Sequence, residues 1–179
     1  MDKILRVNMS IRTIREGPVP PGWKQLGGRG LIPRILLDEV PPTCDPLGSL
    51  NKLIFAPGTL VGQMVSSCDR ISVGAKSPLT GGVKEANAGG STGLNIVWLG
   101  YKAILIEGRA DPKTGLQVLV ITENGFQLHR AGGLDGLGAH DTAACLREQY
   151  GGKISASLIG PGGEMRMLGA GIMHLDKDG

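Results

Sequence analysis

Aromatic side chains are scarce: two Trp, two Tyr and two Phe make up 3% of 179 residues. The core must therefore be mostly aliphatic. Cysteine is scarce too, with Cys44, Cys68 and Cys145 and no CxxC spacing. An odd, sparse set argues against a disulfide framework, and this chain alone cannot supply a four-cysteine zinc or iron–sulfur site. A reducing compartment suits it. The three histidines, His129, His140 and His174, form no HxH or HExxH set. No apolar run reaches about 18 residues, and MDKILRVNMS carries no signal-type apolar core, so the expectation is a soluble, cytoplasmic protein without a membrane partner. Charge of one sign does not accumulate either. Nineteen Lys and Arg stand against 16 Asp and Glu, a net +3, scattered along the chain. That pattern points away from nucleic acid. Nucleotide motifs are missing: there is no GxxxxGK[ST], and Gly133, Gly136 and Gly138 give GxGxxG in reverse.

What is abundant is glycine, 30 of 179 residues or about 17%, against a usual ~7%. Seven of them lie between Cys68 and Gly100: Gly74, Gly81, Gly82, Gly89, Gly90, Gly93 and Gly100. Such a stretch predicts neither a good helix nor a long strand. It suits a backbone that approaches something flat or large, such as a cofactor, or a tight turn between strands.

The rest of the chain reads as elements in a repeated order. Residues 3–9 and 10–16 form a hairpin. Residues 27–40 form a helix opened by glycines, with Pro33 tolerable only in the first turn and Pro41-Pro42 ending it. Residues 51–56 are a buried strand before Pro57-Gly58. Then 116–122 and 126–130 form a second hairpin around Asn124-Gly125. Residues 141–150 form a helix with Asp141 as N-cap and Gly151 after its end. Residues 153–159 form a strand running into the turn Gly160-Pro161-Gly162-Gly163. A further strand covers 103–107. The expectation is an α+β fold of duplicated β-hairpin–helix–strand units forming two β-rich halves. A chain of this length suits one domain, or two small lobes.

Single residues admit two readings each. Arg70, between Asp69 and the strand-like Ile71-Ser72-Val73, could grip a phosphate or a heterocycle edge, or it could pair with a nearby acid or hold a plain surface position. Asn87, Ala88, Gly89 and Gly90 could offer bare backbone groups to a ligand, or make a turn. Cys68 could be a nucleophile or a small semi-buried residue. The segment ending in Glu164 could be an anion nest or a turn. Glu85, Glu107 and Glu164 give no pairing that sequence establishes.

Ordered motifs then add a resemblance. LRVNMS at 5–10, GGRGL at 27–31, DPLGSLNKLIFAPGTLVG at 45–62, KSPLTGG at 76–82, NAGG at 87–90, GYKAILIEG at 100–108 and SLIGPGGE at 157–164 resemble the N-terminal domain of aldehyde:ferredoxin oxidoreductases, the tungsten bis-pyranopterin enzymes. The resemblance implies that residues 1–179 form a single cofactor-base domain, belonging to a longer enzyme or a split subunit. It implies oxidation of aldehydes to carboxylic acids, with electrons passing through a tungsten (or molybdenum) pterin and a [4Fe–4S] cluster to ferredoxin. The cluster cysteines would lie outside this chain, in the remainder of the enzyme or a partner subunit. Arg70 falls on the arginine that bridges pterin and cluster. Asn87 falls on the asparagine whose backbone carbonyl meets Mg2+ between the pterin phosphates, and Gly89 on a glycine that approaches the pterin.

Ser91-Thr92, Asn95, Val97, Lys102 and Cys68-Asp69 depart from the family pattern and admit a non-aldehyde member. A reading from another class is a non-catalytic assembly or binding module that keeps the fold without the cofactor. The isolated chain should also expose an apolar face where the rest of the enzyme is absent.

Overall fold

A computed structural model describes residues 3–176. The chain divides into two compact units. One contains residues through Gly89 together with Gly93–Asp111, and the other contains Gly90–Thr92 and the chain from Pro112 onward.

The first unit is built on one mixed sheet. Its strands are β1 (Lys3–Asn8), β2 (Thr13–Pro18), β3 (Lys52–Pro57), β4 (Ile71–Lys76), β5 (Val83–Ala88) and β6 (Tyr101–Glu107), in the spatial order β2-β1-β6-β3-β4-β5. Only the β1–β6 pairing is parallel; the other neighbours are antiparallel. β6 reads AILI at its centre because it lies inside the sheet, where strands are apolar on both faces. β5 reads VKEANA because it is an edge strand, and most of its side chains are exposed.

Helix α1 (Gly28–Glu39) covers this sheet. Leu31, Ile32, Ile35 and Leu36 recur at helical spacing, and all four are buried with Ile4, Trp23, Ile54, Ala56, Ala103 and Leu105. Each such side chain contributes roughly 1.5–3 kcal/mol by leaving water. The helix comes so close to β4 that a Cβ at Gly74 would lie 2.7 Å from Ile32 Cγ2 and 2.7 Å from the Lys84 carbonyl. Val40, extended at φ −117°, ψ 117°, ends the helix, as expected of a residue before proline. Pro33 is a correction: it sits as the sixth residue of α1, past the first turn. The helix gives up one backbone hydrogen bond there and is held by its buried stripe instead.

Four charges fasten α1 to the sheet. Arg6 and Lys52 meet Glu39 and Glu107, with Arg6–Glu107 at 3.3 Å, Lys52–Glu39 at 3.3 Å, and closer Arg6–Glu39 and Lys52–Glu107 contacts. Arg6 also stands 6.0 Å from the Trp23 ring centroid.

The glycine-rich stretch is more regular than composition suggests. It holds β4, β5 and a short helix α2 (Thr92–Trp98). β4 and β5 form a hairpin closed by residues 77–82, in which the Ser77 hydroxyl accepts the N–H groups of Leu79 and Thr80.

The second unit contains the hairpin β7 (Gln117–Thr122) and β8 (Gly125–Arg130), helix α3 (Ala139–Tyr150), β9 (Ala156–Leu158), α4 (Pro161–Glu164) and β10 (Met173–Leu175). β7 pairs with β8 and β9 with β10, as separate two-stranded sheets. The order hairpin, helix, strand therefore recurs in an α+β chain. Three local expectations need correction. Gly138, not Asp141, is the N-cap of α3; Asp141 lies in its first turn, where a carboxylate favours the helix dipole. The strand at 153–159 shrinks to three residues. The expected turn at 160–163 winds into one short helical turn, because Pro161 at its start pre-sets a helical φ.

Exposed apolar side chains are present in both units. Leu60, Met64, Val65, Leu79, Val83 and Trp98 stand out of the first, and Met165, Met167 and Leu168 out of the second. Among the described residues, no helix is long and apolar enough to cross a membrane.

Candidate functional site

Arg70 immediately precedes β4, and its backbone is held tightly. Its N–H donates to the Cys68 carbonyl at 2.7 Å, and its own carbonyl accepts from Gly58 N–H at 3.1 Å. Gly93 packs against that carbonyl so closely that a Cβ there would stand 3.2 Å from the oxygen. The side chain, by contrast, is exposed. Its Nη1 donates to Asn87 Oδ1 at 3.3 Å. No carboxylate among the described residues forms an ion pair with it. A guanidinium carries five N–H donors, so most of them remain open to a ligand.

Asn87 lies on β5 directly across from Ser72, and Ala88 across from Ile71. The Asn87 Nδ2 group donates to Ser72 Oγ at 3.3 Å. Because β5 pairs only with β4, its outer edge carries backbone N–H and C=O groups that no other strand takes up. Gly89 follows the strand, and a Cβ there would meet nothing within 4 Å. Arg70, Asn87, Ala88 and Gly89 are thus brought to one end of the β4–β5 ribbon. A flat group can lie against open glycine backbone, a hard cation is served by edge carbonyl oxygens, and an anion is served by an unpaired guanidinium. This end of the ribbon therefore offers open backbone, edge carbonyl oxygens and a guanidinium that no acid among the described residues pairs.

Gly90 belongs to the second unit. It has φ +94°, and a Cβ would stand 3.1 Å from Asp176 Oδ2. Asp176 accepts the Ser91 N–H at 3.0 Å and also takes the Ser91 hydroxyl. Arg147 Nη2 in turn donates to the Asp176 carbonyl at 2.7 Å.

Several of the other residues weighed from sequence have structural partners. The Cys68 thiol points to the Leu60 carbonyl at 3.1 Å, and the three cysteines are free thiols. His129 Nε2 meets the Tyr150 hydroxyl at 2.7 Å, and His174 Nδ1 meets Ser157 Oγ at 2.9 Å; burial pushes the His174 pKa down. Glu164 takes the Gly136 N–H on both oxygens at 3.0 Å, while the N–H groups of Gly163 and Glu164 donate to the Gly160 carbonyl at 2.9 and 3.2 Å, so this segment closes on itself as a turn. Glu85 pairs with Arg29 at 2.9 Å. Among the described residues no group of three or more His, Cys, Asp or Glu side chains could hold a metal.

The family model for the aldehyde ferredoxin oxidoreductase N-terminal domain matches residues 4–179. The chain belongs to that family. The tungsten-containing aldehyde ferredoxin oxidoreductase of Pyrococcus furiosus is 37% identical over 175 residues, 96% of this chain and 28% of that protein. The Pyrococcus abyssi protein of the same description is 38% identical over the same shares. Among solved structures, the active site complex BamBC of benzoyl coenzyme A reductase, in complex with 1,5-dienoyl-CoA, has TM-score 0.89 and 30% identity, covering 97% of this chain and 26% of that one. The chain spans about 28% of the length of the curated relatives it matches.

For a member of the aldehyde ferredoxin oxidoreductase family, sequence reasoning selected Arg70 and Asn87 but passed over their supports. Gly58 and Gly93 stood out only as members of a motif and of a glycine-rich stretch, and Ser72 only as part of a strand-like run. Their roles depend on which strands pair and in what register.

Proposed function

We propose that this chain is the cofactor-binding domain of a tungsten or molybdenum pterin oxidoreductase that oxidises aldehydes to carboxylic acids and passes the electrons to ferredoxin. The observation that carries this reading is the Arg70–Asn87 contact. Two residues 17 apart meet at 3.3 Å, at the end of an edge ribbon, with the guanidinium unpaired by any acid among the described residues. Family membership supports it, and so do the tungsten-containing relatives.

Arg70 would hold the anionic or heteroatom edge of the pterin, since its charge is permanent and its donors form a rigid fork. The Asn87 backbone carbonyl would give Mg2+ a hard oxygen ligand. Ala88 and Gly89 would let the ring system approach the backbone. Bound there, the metal–pterin group supplies the redox chemistry that adds water's oxygen to the aldehyde carbon. The chain's own part is placement.

Residues 1–179 would then serve as the cofactor-base part of the enzyme. The remainder of the enzyme or a partner subunit would supply the [4Fe–4S] cysteines and the substrate pocket. Free thiols support a reducing, cytoplasmic setting. Metal and pterin analysis of the complete enzyme tests the proposal. Tungsten or molybdenum accompanied by pterin is the expected result; a well-folded complete protein that never carries either would overturn it.

A further inference from the structure

Ser72 is 1% exposed, yet it is polar. It occupies the middle of the ISV run that opens β4, where apolar residues stand on both sides of it. A hydroxyl taken out of water without a partner costs about 1–3 kcal/mol. Its partner is Asn87 Nδ2, directly across the ribbon at 3.3 Å. Behind it lies Gly28, at φ +48°, where a Cβ would come 3.4 Å from Ser72 Oγ. The start of α1 is thus bare backbone beside this hydroxyl. A larger residue at 28 would be strained by its φ and would crowd Oγ.

The polarity of the resulting chain is unique. Arginine is a donor only. Arg70 Nη1 therefore requires the oxygen of the Asn87 amide. That turns the NH2 group of Asn87 to the opposite side, where Ser72 Oγ accepts it. Without the hydroxyl, the exposed amide of Asn87 is free to rotate, and Arg70 loses its fixed acceptor.

We propose that Ser72 is a positioning residue of the cofactor wall, fixing the Asn87 side-chain amide and, through it, the direction of the Arg70 guanidinium. This rests on the pterin-site reading above. Ser72 touches no ligand itself.

The test is a double-mutant cycle of Ser72→Ala and Asn87→Ala in the complete enzyme. The readouts are pterin and metal retained per chain after extensive desalting, and thermal unfolding. Losing one net hydrogen bond predicts a roughly three- to tenfold fall in retention for Ser72→Ala. In the Asn87→Ala background the same change should cause no further loss, because Ser72 acts only through that amide. Should Ser72→Ala retain wild-type pterin, the proposal is overturned. It is equally overturned if the loss is the same in both backgrounds, since that marks a general structural effect. A wild-type enzyme without pterin would instead remove the underlying function reading, and this inference with it.

Discussion

Arg70 and Asn87 are joined across the open end of the β4–β5 ribbon, Nη1 to Oδ1 at 3.3 Å. The Arg70 backbone is clamped by Gly58 and Cys68 while its side chain stays exposed. A rigid base under an exposed cation suits ligand gripping more than fold stability. Surface substitutions of this kind usually change stability by no more than about 0.5 kcal/mol.

Gly89 offers a sharp separation of fold from site. A Cβ at this position meets nothing within 4 Å, so Gly89→Ala should leave thermal unfolding within about 0.5 kcal/mol of wild type. The added methyl would occupy space assigned to the pterin. Retained pterin and metal in the complete enzyme should fall several-fold. Unchanged retention would show that the cofactor does not approach this glycine.

Gly74 predicts the opposite pattern. Its Cβ would stand 2.7 Å from both Ile32 Cγ2 and the Lys84 carbonyl. Gly74→Ala must push α1 off β4 or bend β5, at a cost of roughly 1–3 kcal/mol, as for other overpacked sites. Denaturant unfolding should show a lower midpoint. A wild-type midpoint would mean that the helix–sheet spacing is looser than described.

The ion-pair group of Arg6, Glu39, Lys52 and Glu107 predicts acid sensitivity. Burial raises the Glu39 pKa, but Arg6 and Lys52 outweigh it and hold the carboxyl below its ordinary 4.5. A depressed folded-state pKa contributes stability above the unfolded value, and that contribution is lost as pH falls through the folded value. Unfolding free energy should therefore decline below about pH 4.5. Glu39→Gln should be less stable at neutral pH and show a flatter acid limb. Parallel acid limbs for the two proteins would count against this pairing.

Legibility in the sequence followed the kind of interaction. Local signals survived: the apolar stripe of α1, the prolines after it, the Asn124-Gly125 hairpin and the apolar β3 and β6 all appear where periodicity puts them. β5 escaped notice because an edge strand exposed on both faces has no hydrophobic alternation. The glycine-rich stretch looked irregular, since composition hides the cross-strand pairing that makes it a ribbon. Pro33 failed as a marker of the first helical turn because tertiary burial overrides a single lost hydrogen bond. Arg70 and Asn87 were legible only as members of ordered motifs. The role of Ser72 was not legible, because its partner is set by register.

The most direct measurement is the tungsten or molybdenum and pterin content of the complete enzyme carrying Arg70→Ala, beside wild type and Arg70→Lys. The predicted result is a folded protein with unchanged unfolding temperature that loses at least about tenfold of its pterin on desalting, as expected when a charged hydrogen-bonding partner worth about 1.5–3 kcal/mol is removed. Arg70→Lys should recover only part, because a point charge lacks the fork. A full complement of metal and pterin in Arg70→Ala would contradict the assignment of this ribbon end as a wall of the cofactor site.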